Sequence, residues 1–179
     1  MDLYLFGYGS LINLESASKT LKRALTSKDV MQANLTSFRR EWTLWDYTYS
    51  DILRKTVKGV FLNLSPSSDA SLNGVLFKVS IAEMREFEVR ERNYTCMDVT
   101  DSIDTGEYIP DQQYRVMTFV GKQEYLTGPG AEDYFIFVKY MDIINKGLND
   151  SGESFSTIYH LTTRVADFPE LRGDYHFVT

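Results

Sequence analysis

The sequence predicts an α+β fold: a curled or barrel-like, mainly antiparallel β-sheet with flanking helices in a single domain spanning residues 1–179. Three observations carry that expectation. Short runs rich in β-branched and aromatic residues follow one another without long crossovers, which favours hairpin-type pairing over a doubly wound sheet. Segments after residue 80 and after residue 130 carry helical periodicity instead. No linker or repeat interrupts the 179 residues, and their 43% hydrophobic and 14% aromatic content suffices for one sizeable core.

The first element is an apolar strand through Leu3, Tyr4, Leu5 and Phe6, which runs into Gly7-Tyr-Gly-Ser-Leu11. Residues 16–25 then read as a short helix with Ala17, Leu21, Ala24 and Leu25 on one side. Strands are expected over 30–45, 57–64 and 74–79, the last two separated by Ser65-Pro-Ser-Ser-Asp69. A helix from Ile81 to about Arg92 has Ser80 as N-cap and Glu83 as its capping-box partner. Strand character returns over 94–100 and 114–120, on either side of an acidic segment containing Gly106 and Pro110. After the break at Gly128-Pro-Gly130, residues 131–148 read as a long amphipathic helix ended by Gly147 and Asn149, and 155–163 as another.

Composition narrows the partners. A net charge of −6 opposes a nucleic-acid ligand, which needs concentrated Lys and Arg. The first 60 residues, with nine Lys/Arg against six Asp/Glu, leave room for a small anionic ligand near the first turn. Cys96 is the one cysteine, so no internal disulfide or cysteine-rich metal site can form, and it reads as a small core hydrophobe. His160 and His176 stand too far apart in sequence to suggest a zinc site, and no cofactor is expected. With no signal-like leader and no apolar run near the roughly 18 residues of a spanning helix, a cytoplasmic protein without a membrane partner is expected. The oligomeric state stays open.

Two features bear on chemistry. Gly7 and Gly9 remove Cβ where a ligand could approach the amides of Tyr8, Ser10 and Leu11. A dinucleotide fingerprint would need a third glycine where Ile12 stands, and Ser10 lacks the Gly-x-Ser-x-Gly elbow of a serine hydrolase. A plain strand-to-helix turn remains the alternative.

The second feature is Glu91. On a wheel begun at Ile81 it falls in one arc with Met84, Phe87 and Glu88, while Glu83, Glu86 and Arg90 lie opposite and read as solvated. Glu88 has Arg85 and Arg92 within a turn; Glu91 has no cation at the preceding turn, so burial and Glu88 together should raise its pKa toward that of a general base. The other reading ends the helix before residue 91 and turns the carboxylate to water. Tyr94 reads either as a ligand-orienting group or as a half-buried strand tyrosine. Arg39 and Arg40 face opposite sides of their strand, and alternation alone does not say which points inward.

With these residues in view, the chain resembles the γ-glutamylcyclotransferase superfamily, and within it the AIG2-like/ChaC-like branch. The resemblance lies in Leu5-Phe-Gly-Tyr-Gly-Ser-Leu-Ile12, similar to the family's substrate loop, and Phe87-Glu-Val-Arg-Glu-Arg-Asn-Tyr94, similar to its catalytic segment. Phe38-Arg-Arg-Glu-Trp42 is similar to a third family element, and the three come in family order. The resemblance implies a small mixed β-barrel and a cofactor-independent reaction on a small γ-glutamyl compound such as glutathione or a γ-glutamyl amino acid, releasing 5-oxoproline. It implies Glu91 as the catalytic base, Gly7, Tyr8, Gly9, Ser10 and Leu11 as the substrate loop, and Tyr94 as a substrate-orienting residue.

Departures touch recognition more than the base. Glu88 stands where the family has Asp, residues 46–51 lack a His-Arg-Gly turn, and residues 152–161 lack the family's asparagine. A non-catalytic module holding a γ-glutamyl ligand, and a cyclotransferase acting on γ-glutamyl amines, are the alternatives.

Overall fold

A computed structural model describes residues 1–106, 113–129 and 133–179. The expected Pro110 break and the expected helix start at Ala131 lie outside them. Among the described residues, four α-helices flank a curled, half-barrel sheet whose strands run in the order β4-β6-β1-β3-β2-β5. Strand β1 (Asp2–Gly7) lies between β6 (Tyr114–Gly121), to which it is parallel, and β3 (Lys55–Lys78), to which it is antiparallel. Strand β4 (Tyr94–Asp98) closes one edge against β6, and β5 (Ile103–Asp104) pairs with β2 (Val30–Ser50) at the other. The sheet is thus mixed but mainly antiparallel.

Its centre is one hairpin of great length. Strands β2 and β3 pair from Val30 opposite Phe77 to Ser50 opposite Lys55. The expected break at residues 65–69 does not form, and 57–64 and 74–78 belong to one continuous strand, which ends one residue before the expected limit. Register shifts between Thr36 and Phe38 and between Trp42 and Leu44 absorb the irregularity, with Ser37 at φ 67°. A bulge bends and twists a strand without ending it, so Pro66 is accommodated opposite Phe38.

Helix α1 (Leu14–Leu21) starts two residues earlier than expected because Asn13 caps it, accepting from the Ser16 amide at 3.2 Å. Helix α2 (Ile81–Arg90) opens on the expected capping box, with the Glu83 amide donating to Ser80 Oγ at 3.1 Å and the Ser80 amide to Glu83 Oε2 at 2.7 Å. The expected 131–148 helix is shorter at its start. Tyr134–Phe137 forms strand β7, parallel to β3 at Lys58 and Gly59, and α3 begins only at Val138 and runs to Ser151. The Tyr-Phe-Ile-Phe run satisfies a sheet position better than a helix turn. Gly147 is not a terminator but lies inside α3, where a Cβ would come within 2.7 Å of the Asn13 amide. Its absence lets α3 press on the chain leaving the glycine turn, and Asn13 Nδ2 donates to Ile143 O across that contact at 2.9 Å.

Helix α4 (Glu153–Leu161) matches the expected last helix, and two unforeseen strands follow. Strand β8 (Glu170–Leu171) pairs with β7, and β9 (Tyr175–Phe177) pairs with β2 at Thr48–Ser50. No described helix is long and apolar enough to cross a membrane.

The candidate active site between the glycine turn and the end of helix α2

The glycine turn is anchored from below. After Gly7 the chain turns into one turn of 3-10 helix over Ser10–Ile12, closed by the Ile12 amide donating to Gly9 O at 3.1 Å. Neither glycine has positive φ; close packing is what requires them. A Cβ on Gly7 would stand 2.8 Å from Leu11 Cβ, and one on Gly9 3.1 Å from the Tyr140 hydroxyl.

The carbonyl of Tyr8 accepts from Tyr159 Oη at 3.1 Å and from Arg40 Nη1 at 3.4 Å. Arg40 is therefore the inward arginine of the pair. It is fully buried and reaches six oxygens, on Thr163, Tyr8, Asn73 twice, Tyr159 and Thr162, while lying 3.4 Å over the Tyr159 ring. Burial without a carboxylate partner lowers its pKa to about 10. Arg39 is the exposed one, 3.7 Å from Glu41.

Above the turn lies a cavity of about 210 Å3, continued toward Gly7–Leu11 by a smaller recess of about 30 Å3. Ser10, Glu91, Tyr94 and Tyr140 form walls of both. The structure thus brings together all seven residues singled out from the sequence, with Gly7, Tyr8, Gly9 and Leu11 around the recess.

Glu91 reaches this place by a route the wheel did not describe. Helix α2 ends at Arg90, and Glu91 is its C-cap at φ −94°, ψ 45°, with its amide donating to Phe87 O at 2.8 Å. The side chain nevertheless faces the cavity rather than the surrounding solvent, and is 18% exposed. Desolvation raises its pKa, and Arg90 opposes that rise. Two expectations fail here. Glu88 and Ile81 are exposed, so the buried side of α2 is narrower and centred on Met84 and Phe87. Glu91 also has a cation after all: Arg90, expected to be solvated, holds Glu91 Oε1 with its Nε at 3.0 Å.

Arg90 also ties the site together. Its Nη1 donates to Ser16 O at 3.2 Å and Thr20 Oγ1 at 2.9 Å, and its Nη2 to Ser10 Oγ at 3.0 Å and Ser16 Oγ at 3.1 Å. One guanidinium therefore links the glycine turn, helix α1 and the carboxylate. Adjacency to Glu91 was the only sequence signal for this, and a wheel cannot see a side chain at the last helical position folding back.

The phenols are held by the main chain. Tyr94 Oη donates to Leu62 O at 2.7 Å, and Tyr8 Oη to Phe119 O at 2.7 Å. Tyr140 stands beside them on the walls of both the cavity and the recess. Burial raises the pKa of all three, and the nearby Glu91 carboxylate adds to the rise, so they are neutral phenols at any ordinary pH. The first amides of a helical turn have no partner inside it, and the Ser10 turn lies on the recess wall.

The outer cavity wall comes from residues far apart in sequence. Phe61 of β3, Tyr140 and Ile143 of α3, and Tyr175 and Phe177 of β9 line it, with Arg92 Nη2 bonded to both oxygens of Asp46 at 3.2 Å. Arg92 also donates to Val178 O at 2.9 Å and so holds β9 over the site. Neither β9 nor these contacts carried a local signal. Cys96 stands apart on β4, its thiol pushed up to about 11 by burial and by Glu88 and Asp98.

No family model matches the sequence, and no curated protein matches it. Solved structures do match in fold. A γ-glutamyl cyclotransferase, 14% identical, aligns with a TM-score of 0.60 over 97% of this chain and 95% of its own. The uncharacterized protein loc79017 of Homo sapiens, 16% identical, aligns at 0.59 over 97% and 94%. A yeast γ-glutamyl cyclotransferase specific to glutathione, 15% identical, aligns at 0.61 over 90% and 93%. The mixed sheet, its helices and nearly the full length of this chain coincide with these structures: the chain has the γ-glutamyl cyclotransferase fold.

Proposed function

We propose that the protein is a γ-glutamylcyclotransferase that releases 5-oxoproline from a small γ-glutamyl compound, with Glu91 as the base. The observation that carries this reading is the Glu91 carboxylate, desolvated on the wall shared by the cavity and the recess over the Gly7–Leu11 turn. A surface carboxylate would be too weak a base at neutral pH; one whose pKa is raised can both take and return a proton.

In the proposed reaction the glutamyl group lies folded on the turn, with its α-amine close to its own γ-carbonyl. The amine nitrogen attacks that carbon, a C–N bond forms, and Glu91 accepts the proton the nitrogen loses. The tetrahedral oxyanion needs donors that are already in place. The Tyr8 and Tyr94 hydroxyls already donate hydrogen bonds to Phe119 O and Leu62 O, and the turn amides around Ser10 are the proposed donors to the oxyanion. Tyr94 Oη keeps lone pairs and can accept from the amine, which orients it. Collapse breaks the original amide C–N bond as Glu91 returns its proton to the leaving nitrogen. No water is consumed and no metal or organic cofactor takes part. Holding the flexible chain folded back on itself supplies much of the rate.

The test is 5-oxoproline formation by the purified protein from a panel of glutathione, γ-glutamyl amino acids and γ-glutamyl amines. Product from at least one, lost in Glu91→Gln, supports the reading; product from none overturns it.

A further inference from the structure

The segment from Gly173 to Val178, with β9 at its centre, runs along the outer wall of the cavity and is fastened differently at its two ends. The near end is packed. Gly173, at φ 92°, lies so close to the hairpin that a Cβ there would stand 2.6 Å from Ile52 Cδ1. The Asp51 amide donates to Asp174 O at 3.1 Å, and the Tyr175 ring stacks on the buried Phe137 at 4.4 Å. At the far end Phe177 and Val178 are 48% and 37% exposed. Beyond the pairing of Phe177 with Thr48, two hydrogen bonds hold the main chain there: the Val178 amide to Tyr47 O at 3.0 Å, and Arg92 Nη2 to Val178 O at 2.9 Å.

The second of these bonds comes from the side chain that follows Glu91 in sequence. Arg92 is set in place by Asp46, whose two carboxylate oxygens both accept from the same Nη2 at 3.2 Å. One nitrogen therefore joins β2, the residue just past β9 and the segment that carries Glu91. A hydrogen bond from a charged group is stronger than one between neutral partners. Arg92 is also 40% exposed, so breaking its contact with Val178 returns the guanidinium to water and Asp46 rather than stranding it. Tyr175 and Phe177 both line the cavity. Release of the far end withdraws Phe177 from that wall while Tyr175 stays on Phe137.

We infer that the far end of β9 is a strap that opens from its anchored Gly173–Tyr175 end to exchange ligand and closes Phe177 over the cavity, with Arg92, set by Asp46, as its latch. Arg92 acts through the strap and is a positioning residue. The gating of turnover rests on the cyclotransferase reading; the opening itself does not.

The first measurement is hydrogen exchange across residues 173–178 without ligand, in the parent, Arg92→Met and Arg92→Lys. Exchange at Phe177 and Val178 should be about tenfold or more faster in Arg92→Met than in the parent, with Arg92→Lys between them and little change at Gly173–Tyr175. Equal far-end rates in the parent and Arg92→Met overturn the inference. The second measurement fastens the strap. Tyr49 and His176 are paired across β2 and β9 and neither lines the cavity, so Tyr49→Cys with His176→Cys, in a Cys96→Ser background, places a disulfide there. Release of 5-oxoproline from glutathione and γ-glutamyl amino acids should be about fivefold or more slower in the oxidised form and recover on reduction, as for a lid that must open each cycle. Equal rates in the two forms overturn the gate. In Arg92→Met, KM should rise by a larger factor than kcat falls; a fall in kcat alone would place the effect of Arg92 on Glu91 and overturn the latch. If no form releases 5-oxoproline, the cyclotransferase reading fails and the exchange rates still decide the strap.

Discussion

Replacing Arg90 with Met would remove the group that both fastens the glycine turn and restrains the pKa of Glu91, the proposed base. Four hydrogen bonds and the 3.0 Å ion pair to Glu91 are lost together. Breaking a fully buried pair costs about 3–5 kcal/mol. Side-chain exposures of 26% for Arg90 and 18% for Glu91 admit solvent to this one, so a loss of about 2–3 kcal/mol is the reasonable scale, or roughly 5–10 °C in Tm for a chain of this size. The pH effect has a definite sign. Arg90 favours the charged carboxylate, so without it burial raises the Glu91 pKa further. The base is then deprotonated only at higher pH, and the acid limb of the kcat/KM profile moves up. Arg90→Lys keeps one positive charge but not the fork; its acid limb should stay near that of the parent while Tm still falls. Thermal melts and pH–rate profiles of the two variants check this. An acid limb that stays in place or moves down in Arg90→Met would refute the assignment of Arg90 as the restraint on Glu91.

Three further outcomes follow from the same geometry. Gly9→Ala places a Cβ 3.1 Å from the Tyr140 hydroxyl, so kcat/KM should fall about tenfold or more with Tm changed by no more than a few degrees; parent-like kinetics would mean that the turn and Tyr140 do not share a ligand. Arg40→Met removes six hydrogen bonds, four of them buried, and leaves the Tyr8 carbonyl held by Tyr159 alone, and should lower stability by about 3–5 kcal/mol in denaturant unfolding. Glu91→Gln should stabilise the fold in a pH-dependent way. With a folded pKa raised above the unfolded value, the native state binds more protons between the two, so the parent loses stability as pH rises through that window and retains it below. The melting advantage of Glu91→Gln should therefore be present at pH 8 and shrink toward pH 4; an advantage that grows on acidification would contradict the raised pKa.

What the sequence made legible was local. Ser80 and Glu83 announce the start of α2, and the glycines of the first turn announce a close approach, because caps and missing Cβ atoms act within a few residues. Pro66 misled because its effect is decided by the partner strand: a register shift beside Ser37 lets β3 continue where composition signals a break. Tyr134–Phe137 misled because an amphipathic pattern does not reveal the neighbouring strand at Gly59 that claims it. At the site, the turn was readable, and an acid in line with Met84 and Phe87 singled out Glu91 even though the helix ends one residue before it. The guanidinium beside it was not, because Arg90 turns back at the helix end to reach Ser10 and Ser16, nor was the aromatic wall, which depends on β9 pairing with β2 about 125 positions earlier. A carboxylate, a turn and a wall from five separate parts of the chain thus meet at one cavity.

In the proposed reaction Glu91 moves the proton that lets the α-amine of a γ-glutamyl group close on its own γ-carbonyl. The most direct measurement is the rate of 5-oxoproline release by the parent protein and by Glu91→Gln from the best γ-glutamyl substrate, with binding followed in parallel. The account predicts product from the parent and a loss of at least about a hundredfold in Glu91→Gln with the substrate still bound. Full activity in Glu91→Gln, or no 5-oxoproline from the parent with any γ-glutamyl compound, would contradict it.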